Sequence, residues 1–137
     1  MKHKLPGIFL AFLLMALAAP LFAHHAFEAE FDLHKPLKLT GTLTKVEWVN
    51  PHVYFYMEVK DASGKVATWQ FENSPPGMLR RGGLERNMLP MGQTVTIEGY
   101  AAKDGTKNLG WANVMHLADG STIILISPAQ QAKAVQQ

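Results

Sequence analysis

Between Leu37 and Trp48 the apolar residues alternate, and then they slip. Leu37, Leu39, Gly41 and Leu43 interleave with Lys38, Thr40, Thr42 and Thr44, the period-two pattern of a half-buried strand. The apolar phase then moves to Val46 and Trp48. Side chains of a strand point to alternate faces, so a one-residue slip exposes the apolar set unless the chain bulges or bends. The slip therefore predicts a bent first strand, with the irregularity between Gly41 and Lys45.

The rest of the chain reads as further short strands. Asn50-Pro51 punctuates, and a second strand runs from about His52 to Lys60. Asp61-Ala62-Ser63-Gly64 is a turn that joins it to a third strand, Val66 to Phe71, as a hairpin. One helix is expected over Ser74–Arg81, with Ser74 as its cap, Pro75 and Pro76 in its first turn and Gly82-Gly83 as its stop. Leu89-Pro90-Met91-Gly92 turns the chain into a fourth strand, Thr94 to Ala101, with Val95, Ile97 and Gly99 on one face. Gly110–Leu117 and Thr122–Ile126 flank an Asp119-Gly120 turn and form a closing hairpin. This order predicts an all-β domain with one short helix, a small five-stranded Greek-key barrel of the OB type. A β-sandwich is the alternative, and the helix between the third and fourth strands favours the barrel.

The N-terminus reads differently. Lys2 and Lys4 precede an uncharged apolar run from Ile8 through Leu17, and Pro20 precedes Leu21-Phe22-Ala23. An apolar run this short does not span a bilayer, which takes about 20 residues. A positive start, a short apolar middle and a small-residue end predict a secretory signal peptide over 1–23, cleaved after Ala23, with cleavage after Ala18 as the alternative. The expected organisation is a signal peptide (1–23), an N-terminal arm (24–36), the barrel (37–127) and a disordered Ala- and Gln-rich tail (128–137). The expected localisation is periplasmic or secreted, with no transmembrane span after cleavage.

Removing residues 1–23 from the 137-residue chain leaves 114, enough for one core. Lys2 and Lys4 leave with the signal, so the 13 basic residues fall to 11 and match the 11 acidic ones. That balance lacks the positive field on which nucleic-acid affinity depends. The chain has no Cys, which excludes thiol chemistry, disulfides and Cys-ligated zinc.

Three groups of residues are candidates for function. Cleavage after Ala23 exposes His24 with a free amine, and amine, imidazole and a second imidazole together suit copper(II). His25, His34 or His52 would supply the second ring, and Glu28, Glu30 and Asp32 add oxygen donors; the metal candidates are His24, His25 and His52. The bland reading of the paired histidines is a polar, exposed chain start. On the second strand His52, Tyr54, Tyr56 and Glu58 face one way, while Val53, Phe55, Met57 and Val59 face the core. Trp48, Asn50, His52, Tyr54, Tyr56 and Trp69 form a candidate ligand face, because aromatic rings with hydrogen-bonding tips suit binding. The competing reading is that Tyr54 and Tyr56 only cover the sheet or lie beneath the N-terminal arm. Arg80 and Arg81, with Arg86, make a cationic cluster suited to an anion, or else a solvated helix face. His116 shares a strand pattern with Ala112 and Val114 and is expected to be half-buried and satisfied. No nucleophile elbow, zinc-protease motif or phosphate loop occurs.

His24-His25-Ala26-Phe27, Glu30-Phe31-Asp32 and the run from Leu39 to His52 resemble the domain-of-unknown-function family 6152. The similarity continues through Trp69-Gln70-Phe71-Glu72, Leu79-Arg80-Arg81-Gly82 and Val95-Thr96-Ile97-Glu98-Gly99-Tyr100. Trp48-Val49-Asn50-Pro51-His52 is its most specific part. The resemblance implies a small exported bacterial protein with a compact β-rich domain, and no catalytic residues to carry over. Ser is common at the third position of the His-His-x-Phe start, where this chain has Ala26. The expectation is a non-enzymatic periplasmic binding or interaction module, its partner an envelope protein or small ligand. A copper(II)-binding protein is the alternative, and an envelope enzyme comes last.

Overall fold

The computed structural model describes Phe27 and residues 29–125. The expected signal peptide, its cleavage site, His24, His25, Glu28 and the tail over 128–137 lie outside the described residues. In chain order the elements are β1 (Phe31–Trp48), β2 (Val53–Lys60), β3 (Val66–Asn73), α1 (Pro76–Arg81), a 3-10 turn (Arg86–Met88), β4 (Thr94–Ala102), β5 (Leu109–Leu117) and β6 (Thr122–Ile124). They form one sheet, ordered β3-β2-β1-β4-β5-β6, and β3 also pairs with β5. That last pairing is parallel, Gln70–Glu72 against Leu109–Trp111, and every other pairing is antiparallel. The bonding thus runs in a ring of β1, β2, β3, β5 and β4. The described strands number six rather than five, because β6 adds to β5 outside the ring.

β1 begins at Phe31, upstream of the alternation that starts at Leu37. It serves two neighbours in turn, pairing with β4 from Phe31 to Thr42 and with β2 from Thr42 to Trp48. The register shifts between Leu43 and Lys45, where the apolar phase slips in the sequence. Glycine is required just before this point: a Cβ on Gly41 would run into the Glu58 carbonyl. A second shift lies between Glu98 and Gly99, opposite Asn113, and a Cβ on Gly99 would meet the Trp111 carbonyl. This bulge corrects the expected phase of β5. Ala112 and Met115 face inward, and His116 lies on the outer surface, between Thr122 and Glu98 (3.1 Å from Nδ1 to Thr122 Oγ1, 3.2 Å from Nε2 to Glu98 Oε1).

The barrel interior holds Leu43, Val53, Phe55, Met57, Phe71, Ile97 and Met115, all fully buried. Leu79 of α1 belongs to the same cluster, so the short helix lies against the core through that residue. The helix N-cap is Pro75 rather than Ser74, and no side chain caps it. Ser74 is buried instead: its carbonyl accepts the Val53 N–H at 3.2 Å and its N–H donates to Asn73 Oδ1 at 2.6 Å. Asn73 Nδ2 donates in turn to the Ala112 carbonyl, tying the end of β3 to the bulge of β5. A second cluster of Phe27, Phe31 and Trp111, with Tyr100 and Leu109 against it, holds the chain upstream of β1.

Replacing Asn73 by Ala withdraws both side-chain bonds from buried groups and should cost about 1–3 kcal/mol. Phe71→Ala, which empties core volume, should cost about 3–5 kcal/mol. Urea denaturation followed by circular dichroism checks both, and an unchanged midpoint for Asn73→Ala would remove its bracing role.

Candidate functional site

The link between β1 and β2 places the most specific sequence run at one end of the barrel. Trp48 pairs with Val53 across it, Asn50 and Pro51 are exposed, and the Asn50–Pro51 peptide is cis. Val53 also pairs with Asn73 and is bonded to Ser74, so α1 starts immediately beside Trp48. The arginines that follow reach the indole. The Arg80 guanidinium carbon lies 5.9 Å from the Trp48 ring centroid and that of Arg86 lies 5.6 Å from it. Each such contact is worth about 0.5–1 kcal/mol at an exposed site. Of the three arginines of the expected cluster, Arg80 and Arg86 share this contact, and Arg81 is exposed without a contact to the indole. Among the described residues no arginine lies within ion-pairing distance of a carboxylate.

His52 lies on the other side of the loop and is half-buried. Its Nδ1 is 2.9 Å from Glu72 Oε2, and its ring meets those of Tyr54 and Trp111 edge-on, each at 6.3 Å. Tyr54 is the direct cross-strand partner of Glu72, which is how β3 delivers the carboxylate to His52. The bond to Glu72 raises the His52 pKa above 6.5; burial opposes this, and the charges of Glu72 and Glu30 add to it. Burial raises the Tyr54 pKa, with the charges of Glu72, Glu30 and Glu47 acting in the same direction. Trp111 is 3 % exposed and its Nε1 has no hydrogen-bond partner. The Phe27 ring lies 5.0 Å from that of Trp111, nearly perpendicular to it, so the chain just after His24 and His25 is anchored one ring away from His52.

Tyr56 is already engaged. Its hydroxyl donates to Glu47 Oε2 at 2.8 Å, Lys45 pairs with the other oxygen of Glu47, and the Lys45 ammonium lies 5.1 Å from the Tyr56 ring centroid. Burial, followed by the bond to Glu47, pushes the phenol up to about 12. Lys45, ahead of Tyr56, holds the Glu47 carboxyl below its usual range. Trp69 departs from the expected face altogether. Directly opposed residues share a face, and Trp69 opposes Met57 of the core and stacks on Phe71 at 5.8 Å. Asp32 is likewise occupied, accepting the His34 N–H at 2.9 Å and pairing with Lys35 at 3.6 Å.

The expected face is therefore divided in three: Trp48 with Arg80 and Arg86, His52 with Tyr54, and the closed Tyr56–Glu47–Lys45 group. Glu47, Glu72 and Trp111 were not among the sequence candidates. Glu72 and Trp111 are brought to His52 only by β2–β3 and β3–β5 pairing. Glu47 was legible in principle, as the cross-strand neighbour of Tyr54 and Tyr56 once the bulge is placed. Among the described residues no group of three or more His, Asp or Glu side chains is arranged to hold a metal ion. None of their helices is long and apolar enough to cross a membrane. A groove of about 390 Å³ over β1, β4 and β5, lined by Leu37, Lys38, Glu98 and Asn113 among others, contains none of the candidates.

The model of a family of unknown function, DUF6152, matches residues 11–111. The chain belongs to this family. The match takes in β1 through the first part of β5, and with them Trp48, His52, Glu72, Arg80, Arg86 and Trp111. No curated protein matches the chain, and no solved structure does.

Because its folded pKa is raised, His52 contributes stability that is complete below 6.5, its unfolded reference, and that is lost as pH rises through the higher folded value. Glu72→Gln should lower the His52 pKa and flatten this pH dependence. Histidine Cε1–H chemical shifts against pH measure the first and thermal melts on either side of neutrality the second. A His52 titration unmoved by Glu72→Gln would show that the bond is not formed in solution.

Proposed function

We propose that this DUF6152 protein is an exported, non-enzymatic binding module, and that its ligand surface is the β1–β2 link with α1 beside it. The observation that carries the reading is Trp48: an indole at the mouth of the barrel, in contact with two guanidinium groups that have no carboxylate partner among the described residues. The ring of strands, its parallel β3–β5 closure and a helix between β3 and β4 support a barrel of the OB type. Such barrels use the face of strands two and three and the loop between strands one and two as their platform. Tyr54 and His52 extend the surface along β2. A triple variant, Trp48→Ala, His52→Ala, Tyr54→Ala, should lose species that the wild-type protein retains from an envelope extract. Identical sets, read by mass spectrometry, would count against this surface.

A second reading, copper(II) binding, is favoured by a specific observation at His52. With Nδ1 held by a carboxylate, its Nε2 is oriented as a metal-ligating imidazole would be. Phe27, three residues after His24 in the sequence, is fastened beside Trp111. If the intact mass of the exported protein begins at His24, copper titration should give a visible absorption that weakens in His24→Ala and in His52→Ala. A terminus at Ala19, or equal absorption in both variants, ends this reading.

A further inference from the structure

Arg80, Arg81 and Arg86 are all the arginines this chain has. The fold sets Arg80 and Arg86 over one indole, and Arg81 is adjacent in sequence. Between Ser74 and Gln93 there is one acidic residue, Glu85, against these three bases. The acid nearest to Trp48 on β1, Glu47, is committed to Lys45 and Tyr56. The site therefore carries excess positive charge with no counter-ion built into the described residues.

The chemistry of the guanidinium narrows the partner. A cation–π contact uses none of a guanidinium's N–H donors, so the fixed fork of each remains available to an acceptor. One fork is saturated by one carboxylate, because two oxygens match two parallel N–H groups. A phosphoryl group, with three acceptor oxygens and up to two negative charges, can serve both guanidinium groups at once and offsets more of their charge than a carboxylate does. The neighbours of the cluster are apolar and open: Val49, next to Trp48, is 47 % exposed, and Met88, in the same turn as Arg86, is 49 % exposed. We infer that the Trp48 end of the barrel binds a phosphate-bearing ligand, clamped by Arg80 and Arg86. The inference rests on the binding-surface reading above and gives it a ligand class.

The test titrates the full-length protein with inorganic pyrophosphate at constant ionic strength and follows tryptophan fluorescence, with sodium chloride as the comparison. Trp48→Phe separates the Trp48 signal from those of Trp69 and Trp111. In parallel, co-sedimentation uses phosphatidylcholine vesicles with and without phosphatidylglycerol. A saturable fluorescence change with pyrophosphate identifies a soluble source of the phosphate, and sedimentation only with phosphatidylglycerol identifies a headgroup; either supports the inference. Arg80→Ala with Arg86→Ala should weaken binding by about tenfold or more, the scale of one lost charge-assisted hydrogen bond. Arg80→Lys with Arg86→Lys keeps the charge and removes the fork, and should weaken it nearly as much. No response to either probe, an equal response to chloride, or undiminished binding by the Lys variant would overturn the inference. A changed set of retained envelope species without any phosphate response sinks the phosphate assignment alone. The absence of both sinks it together with the surface.

Discussion

The parallel pairing of Gln70–Glu72 with Leu109–Trp111 is the contact on which the rest of the arrangement depends. The antiparallel pairings alone would leave a six-stranded sheet with β3 and β6 at its edges. Bringing β3 onto β5 joins the first half of the chain to the second and encloses Phe55, Phe71, Ile97 and Met115 between them. It is a short pairing, and it is reinforced by a side chain. Asn73, at the end of β3, donates to the Ala112 carbonyl at the β5 bulge and accepts from Ser74. A buried polar group of this kind is stabilising only when its bonds are made, so Asn73 favours one register of closure over its neighbours.

The same closure assembles the two halves of the candidate surface. Trp111 reaches His52 because β5 lies beside β3 and β3 beside β2. The end of β3 leads directly into α1, so Arg80 arrives over Trp48 at the end of β1. Both groups sit where strands terminate, and there the backbone pairing that constrains the sheet no longer dictates what side chains meet. The interior demands apolar residues of fitted volume, while the rim is free to collect charge. That separation explains how a chain with balanced charge after residue 23 holds an unneutralised arginine cluster at one end.

The inner and outer faces of β2 were legible from period-two alternation alone, as were the bend in β1 and the helix between β3 and β4. Trp69 was legible by the same rule, since it shares parity with Phe71 while Thr68, Gln70 and Glu72 take the other face, and the register against Met57 sets that parity inward. His116 is half-buried and bonded as expected, but it does not share the face of Ala112. A single extra residue at Asn113 inverts the phase downstream, and nothing in the run from Ala112 to His116 marks it. Glycine carries part of the signal. Gly41 and Gly99 stand where another strand's carbonyl approaches too closely for a side chain, yet only the paired backbone distinguishes them from turn glycines.

By itself the sequence determined the local matters: strand periods, turn positions, the apolar set that must be buried and the aromatic and basic residues available for binding. These follow from short-range sterics and from water's exclusion of apolar surface, both of which act along a few consecutive residues. Tertiary structure alone decided which of those residues meet. The Arg80–Trp48–Arg86 contact, the His52–Glu72 bond and the Trp111 ring beside His52 join segments far apart in the chain. Their distances depend on ring closure, bulge position and register, and a one-residue change in any of these moves side chains between the core and the outer face.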